Sequence, residues 1–326
     1  MWIAWRALRP FILLGLSGVA ALVALPRDAA QSRVESPQEY TQIHMGMPVR
    51  VRMYAASSDA ARQAARGAFA RIAVLDRMMS DYRPDSELRQ LSAGRGAWQA
   101  VSAELYDVLE RAVEIARATE GAFDPTVGPL VLLWREARQA ARMPDAPAIA
   151  RAREAVGWRR IEFDKSKRAV RLSRPDMRLD LGGIAKGYII EEALHTLRAA
   201  GVRRALIEAG GDIVVGDAPP DRDGWRIDVI GADRKFAARA AKLSNAALAT
   251  SGPTAQFVEI DGVRYSHVVD PRTGVGLTNH MTAHVIAPSG ATADALATAL
   301  TIVPEASIPG ILSRFSGAHA AVVREP

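Results

Sequence analysis

The sequence predicts a single α+β domain of mixed and antiparallel sheets packed with helices, behind an N-terminal export segment. Stretches with strand period and with helix period alternate irregularly, and hairpin signals stand beside crossovers. No internal repeat or composition break divides residues 43–326, and 326 residues are ample for one large core. A doubly wound parallel sheet would need a regular strand–helix alternation that this chain lacks.

Residues 1–30 read as a signal peptide or N-terminal anchor. Arg6 and Arg9 precede an apolar run of about fifteen residues from Phe11 to Leu25, short of the roughly twenty a membrane span needs. Neither Leu22/Ala24 nor Asp28/Ala30 makes a clean small-x-small cleavage pair, so a cleaved leader and a retained anchor both stay open. Residues 31–42 are polar and read as a linker, and 43–326 as the folded domain. Any contact with the membrane is expected only through the N-terminal segment.

In the domain, Val49, Val51 and Met53 alternate with polar neighbours as a half-buried strand does. Ser58 and Asp59 can cap a helix to Met79, with Ala65, Phe69, Ile72 and Met78 on one stripe. A second helix is expected from Ser102 to about Ala118, then a turn-rich stretch at 121–129. Between Pro144 and Arg174 come a short Ala/Arg helix and strands around 161–163 and 169–172. The stretch 179–188 leads into a helix that stops at Gly201. Strands follow at 205–209, 213–215 and 225–230, and Asp261-Gly262 predicts a hairpin joining 257–260 to 263–269. A core strand over 281–287, a helix over 291–300 and an edge strand at 320–323 complete the reading.

Composition removes several classes of function. Forty-two basic residues against 36 acidic ones leave a net charge of +6, but the excess is dispersed and no basic stripe carries interleaved aromatics, so nucleic acid is not an expected partner. The chain has no cysteine, which excludes disulfides, thiolate metal sites, a cysteine nucleophile and a lipid-modified N-terminal cysteine. Neither GxGxxG nor GxxxxGK[ST] occurs, and no HExxH.

What remains is a set of oxygen-bearing and glycine-rich positions. In the alanine-rich 291–300 helix, Asp294 and Thr298 fall on one face, and a carboxylate with a hydroxyl there suits a hard divalent cation. A capped helix with an Asp near its positive end would carry the same residues. Asp180-Leu181-Gly182-Gly183 stands between a strand and a helix, where backbone can approach a ligand closely, and Lys186 one turn in can neutralise phosphate charge. His267, beside the Asp270-Pro271-Arg272-Thr273-Gly274 turn, is placed as a general base near neutral pH. His280 and His284 would be roughly 13 Å apart on an extended strand, too far for one metal ion.

These motifs together resemble the FAD:protein FMN transferases, the ApbE or flavin-trafficking lipoprotein family, over residues 43–304. Met45-Gly46-Met47, Ser80-Asp81-Tyr82, Gly121-Ala122-Phe123-Asp124-Pro125-Thr126, Asp180 to Tyr188, Gly210-Gly211-Asp212-Ile213, Tyr265-Ser266-His267 and Ala293 to Thr298 carry the likeness. The resemblance implies Mg2+-dependent transfer of FMN from FAD to a Ser or Thr hydroxyl of an exported acceptor protein, with release of AMP. It places Asp294, Thr298 and the Gly183 carbonyl on Mg2+. Met45, Tyr82, Ala122, Phe123, Asp124, Asp180 and Lys186 would line the FAD site, and His267 would take the acceptor's proton. It implies a periplasmic or inner-membrane-anchored enzyme. A flavin carrier without transfer activity and a metal-dependent FAD pyrophosphatase are the alternatives.

Three positions depart from the family pattern. Ser251-Gly252-Pro253-Thr254-Ala255-Gln256 replaces the usual Ser-Gly-Asp/Asn-Tyr-Glu-Arg, so the flavin contacts expected there do not carry over. There is no lipobox cysteine, and Glu208 stands where Asn is usual. Ser289-Gly290-Ala291-Thr292 resembles the core of the acceptor sequence these enzymes modify, with Ile286 where an acidic residue is expected; a helix cap accounts for the same residues.

Overall fold

A computed structural model describes residues 36–229, 239–252 and 257–324. The export segment and positions 253–256 of the altered stretch lie outside the described residues. Among the described residues no helix is long and apolar enough to cross a membrane.

The α+β expectation holds. Seven strands form the central sheet in chain order: Gln38–His44, Met47–Met53, Ala205–Ala209, Asp212–Val215, Ala246–Ser251, Met281–Ala287 and His319–Arg324. Every neighbouring pair is antiparallel. Three smaller two-stranded units and a three-stranded sheet surround it.

Strand alternation divides the apolar residues between the two faces. Ala205, Ile207, Val214, Ala247, Ala249, Ala283 and Val285 turn to the face covered by helices Ser58–Met79, Ala185–Ala199 and Gly290–Leu300. Leu206, Ile213, Leu248 and Ile286 turn the other way, onto Trp225, Ile227 and Leu243 of a hairpin. Helix Gly290–Leu300 is buried on nearly every side, between helix Ala185–Ala199 and the strands Ala246–Ser251 and Met281–Ala287. Its alanines permit that approach, and its one acidic side chain, Asp294, is 3% exposed. A buried carboxylate must find partners.

Several sequence expectations need correction. The stretch read as linker is strand from Gln38 onward, paired in register with Met47–Met53. Polar composition hid it because an edge strand with one solvated face need not be apolar. Gly128–Ala140, partly assigned to a turn, is a helix with Pro129 in its first turn, where the missing N–H costs nothing. Helix Glu87–Ser92 and the central strand Ala246–Ser251 also escaped the sequence reading. The second hairpin strand stops at Ser266, and His267 lies in a bend before Val269–Asp270.

The topology gathers the chemistry at one end of the central sheet. The Met45-Gly46 turn, the Gly210-Gly211 turn, the end of Ala246–Ser251 and the start of Met281–Ala287 all fall there by register.

Candidate functional site

The centre of the site is a crossing of two helices. Gly187 and Gly290 meet backbone to backbone: a Cβ on Gly187 would lie 2.0 Å from the Gly290 carbonyl oxygen. At this crossing the Gly187 N–H donates to Asp294 Oδ2 at 3.1 Å, and Lys186 Nζ donates to Asp294 Oδ1 at 3.1 Å. One turn on, Thr298 Oγ would stand 3.0 Å from a Cβ on Gly183, so glycine keeps that backbone open beside the hydroxyl. Asp294, Thr298 and the Gly183 backbone, expected together from the sequence, are therefore neighbours. Glu191 locks the crossing from behind, accepting from Ser289 Oγ at 2.8 Å and from the N–H groups of Gly290 and Ala291 at 2.9 and 3.3 Å. A carboxylate is favourable at a helix N-terminus. Ser289 caps this helix through the Thr292 N–H, at 3.4 Å, so the acceptor-like Ser289–Thr292 segment acts here as a helix start.

Lys186 is shared between two carboxylates. Besides Asp294 it pairs with Asp212, the first residue of a central strand, whose Oδ1 also accepts from the Thr250 N–H at 3.4 Å. Burial on its own would lower the Lys186 pKa, but Asp294 and Asp212 outweigh it and hold the ammonium charged beyond the ordinary lysine range. Burial, and then the negative charge of Asp294, push Asp212 up to about 7 against the pull of Lys186. The donor chemistry of Asp294, Thr298 and the Gly183 carbonyl suits a hard cation that keeps water or phosphate ligands. Among the described residues no group of three His, Cys, Asp or Glu is arranged to hold a metal ion. A cation here would depend on one carboxylate supplemented by neutral oxygens.

A second cluster flanks the first. Asp180 Oδ1 accepts from the Gly182 N–H at 2.7 Å and so shapes the turn into helix Ala185–Ala199. Arg135 bridges Asp81 at 2.6 Å and Asp180 at 3.4 Å, and its guanidinium lies 4.1 Å from the Tyr82 ring centroid. Tyr82 is 76% exposed, leaving the ring's outer side to a planar ligand. Burial, and then the nearby Asp81 charge, push Asp180 up to about 6.

The Gly121–Asp124 loop joins the clusters. The Asp180 N–H donates to the Pro125 carbonyl at 2.9 Å. Phe123 reaches to within 3.3 Å of a Cβ on Gly183, and Ala122 packs with Val268 and Ile302. His267, half-buried, is the chain neighbour of Val268 and lies in the bend that precedes it. The Asp124 carboxylate is committed inside the loop, to Thr126 N–H and Oγ at 2.8 and 2.6 Å and to the Trp158 N–H at 3.0 Å. Burial raises its pKa. Met45 takes a left-handed backbone conformation (φ 52°) pinned by its N–H to Asp76 at 3.0 Å. His284 backs the lysine cluster: buried, it is 2.9 Å from Oγ of Thr250, whose N–H serves Asp212, and burial lowers its pKa.

Four participants were missed as individual residues in the sequence: Asp212, Arg135, Asp81 and Glu191. Asp212 and Asp81 lay inside motifs already singled out. Arg135 sits on the helix that was not foreseen, and Glu191 carried no signal beyond helical spacing from Lys186.

The fold is an α+β domain, and its site is a lysine held between two buried carboxylates beside an open glycine backbone. The chain belongs to the ApbE family, whose sequence model matches residues 45–323. It is 32% identical over 304 residues to the FAD:protein FMN transferase of Treponema pallidum, covering 87% of this chain and 84% of that protein. To the FAD:protein FMN transferase of Vibrio cholerae it is 34% identical over 234 residues, covering 70% and 69%. The crystal structure of the apo flavinyl transferase ApbE of Pseudomonas stutzeri superimposes with a TM-score of 0.79 at 28% identity, over 90% of this chain and 92% of that one. The ApbE protein of Thermotoga maritima gives 0.80 at 28%, over 89% and 97%.

Proposed function

We propose that this chain transfers FMN from FAD to a Ser or Thr hydroxyl of an exported acceptor protein, releasing AMP. The observation that carries the reading is the helix crossing that sets Lys186, Asp294 and Thr298 beside the open Gly183 backbone, in a chain whose relatives are FAD:protein FMN transferases. Asp294, Thr298 and the Gly183 carbonyl would hold Mg2+, which when bound neutralises charge building on the pyrophosphate oxygens.

The remaining work falls to side chains. Tyr82, backed by Arg135, offers a stacking surface to an aromatic ring of FAD, and Met45, Ala122, Phe123, Asp124 and Asp180 shape the walls. Lys186 offers a fixed positive charge to the diphosphate. His267 takes the proton as the acceptor oxygen attacks the FMN-side phosphorus. The new P–O bond forms, the P–O bond to the AMP phosphate breaks, and AMP departs with that electron pair. A positioned base contributes about 10²–10⁴ in rate. The N-terminal segment suits action on the periplasmic side, either as a released enzyme or one held at the inner membrane.

Incubation with FAD, Mg2+ and an acceptor protein, followed by intact mass, tests this. The expected result is an acceptor heavier by one FMN, abolished by EDTA. Free FMN and AMP without adduct would make the chain a pyrophosphatase, and unchanged FAD would make it a carrier.

A further inference from the structure

Asp212 has no role in the chemistry above, yet it is 1% exposed and anchored at the first position of a central strand. We infer that Asp212 is a positioning residue: it shares the Lys186 ammonium with Asp294 and gives it a place to stay when a divalent cation takes the Asp294 oxygen. This rests on the reading of Asp294 as a cation ligand.

The geometry gives the reason. Asp294 Oδ2 already accepts from the Gly187 N–H, so Oδ1, the oxygen that Lys186 uses, is where a cation would bind. The ammonium and a divalent ion therefore compete for one oxygen. Asp212 cannot follow Lys186, because the Thr250 N–H and its strand hold it in place. Lys186, with 26% of its side chain exposed, donates to both carboxylates at once, and their side chains are 2% and 4% exposed. With Asp212 charged, the lysine has a second seat. Without it, Asp294 becomes the only carboxylate among the described residues holding the ammonium, and the competitor grows stronger. In a weakly screened interior one unit charge at such distances changes ion affinity by well over tenfold.

Mn2+ affinity of the purified full chain without FAD, read by electron paramagnetic resonance, tests the device. Lys186→Met should bind Mn2+ at least about tenfold more tightly than wild type, and Asp212→Asn at least about tenfold more weakly. The double variant should return to wild-type affinity or better. The gain in Lys186→Met keeps the test decisive, since a misfolded variant does not gain affinity. Unchanged binding in Asp212→Asn would overturn the inference. So would a double variant as weak as Asp212→Asn, which would make Asp212 a direct ligand. Asp294→Ala separates the premise: wild-type Mn2+ binding there would remove the cation assignment itself and this inference with it.

Discussion

Gly187 and Gly290 touch through their backbones, with a Cβ on Gly290 falling 2.4 Å from the Gly187 carbonyl oxygen. Because Lys186 and Asp294 sit one and four residues from that contact, its closeness sets the spacing of the site. Gly187→Ala or Gly290→Ala should force the helices apart and destabilise the domain by about 1–3 kcal/mol or more, with loss of transfer activity. Urea unfolding of each variant checks this, and a wild-type midpoint would show that the crossing tolerates a methyl group.

Glu191 should matter to stability through the helix it anchors. Replacing it with Gln removes the charge facing the Gly290 and Ala291 N–H groups and weakens three hydrogen bonds. The expected cost is about 1–3 kcal/mol, smaller at high salt than at low salt. Equal unfolding free energies for the two proteins would contradict the anchoring role.

Asp180 gives a pH dependence of definite sign. Its folded pKa of about 6 lies above the ordinary value of 3.8, so its contribution to stability is full below the lower value and is lost as pH rises through the higher one. Asp180→Asn should therefore be more stable than wild type at pH 7, with the advantage vanishing near pH 4, while binding FAD more weakly. Thermal melts across that range decide it: a pH-independent difference would refute the burial argument.

The fold class and some of the neighbours in the site were legible in the sequence, while several strands and side-chain partners were not. That Asp294 and Thr298 stand together was legible because helical spacing fixes which side chains share a face, and the structure sets Gly183 beside Thr298. Gln38–His44 and Ala246–Ser251 were not, since a polar edge strand and an alanine-rich central strand owe their conformation to pairing with distant chain. Asp212 and Arg135 were hidden for the same reason: each acquires its role from a partner far along the sequence, 26 residues away for Lys186 and 54 for Asp81.

Replacing His267 should cost rate while binding is preserved. His267→Ala should slow transfer by about 10²–10⁴ while FAD affinity stays near that of wild type. Single-turnover rates beside FAD titrations separate the two quantities, and unaltered turnover would end its assignment as the base.

Whether Asp294 carries the transfer is decided by comparing folded wild type and Asp294→Ala in the same reaction of FAD, Mg2+ and acceptor, following acceptor mass with time. Wild type should add one FMN per acceptor and Asp294→Ala none. Flavinylation by Asp294→Ala at the wild-type rate would contradict that role.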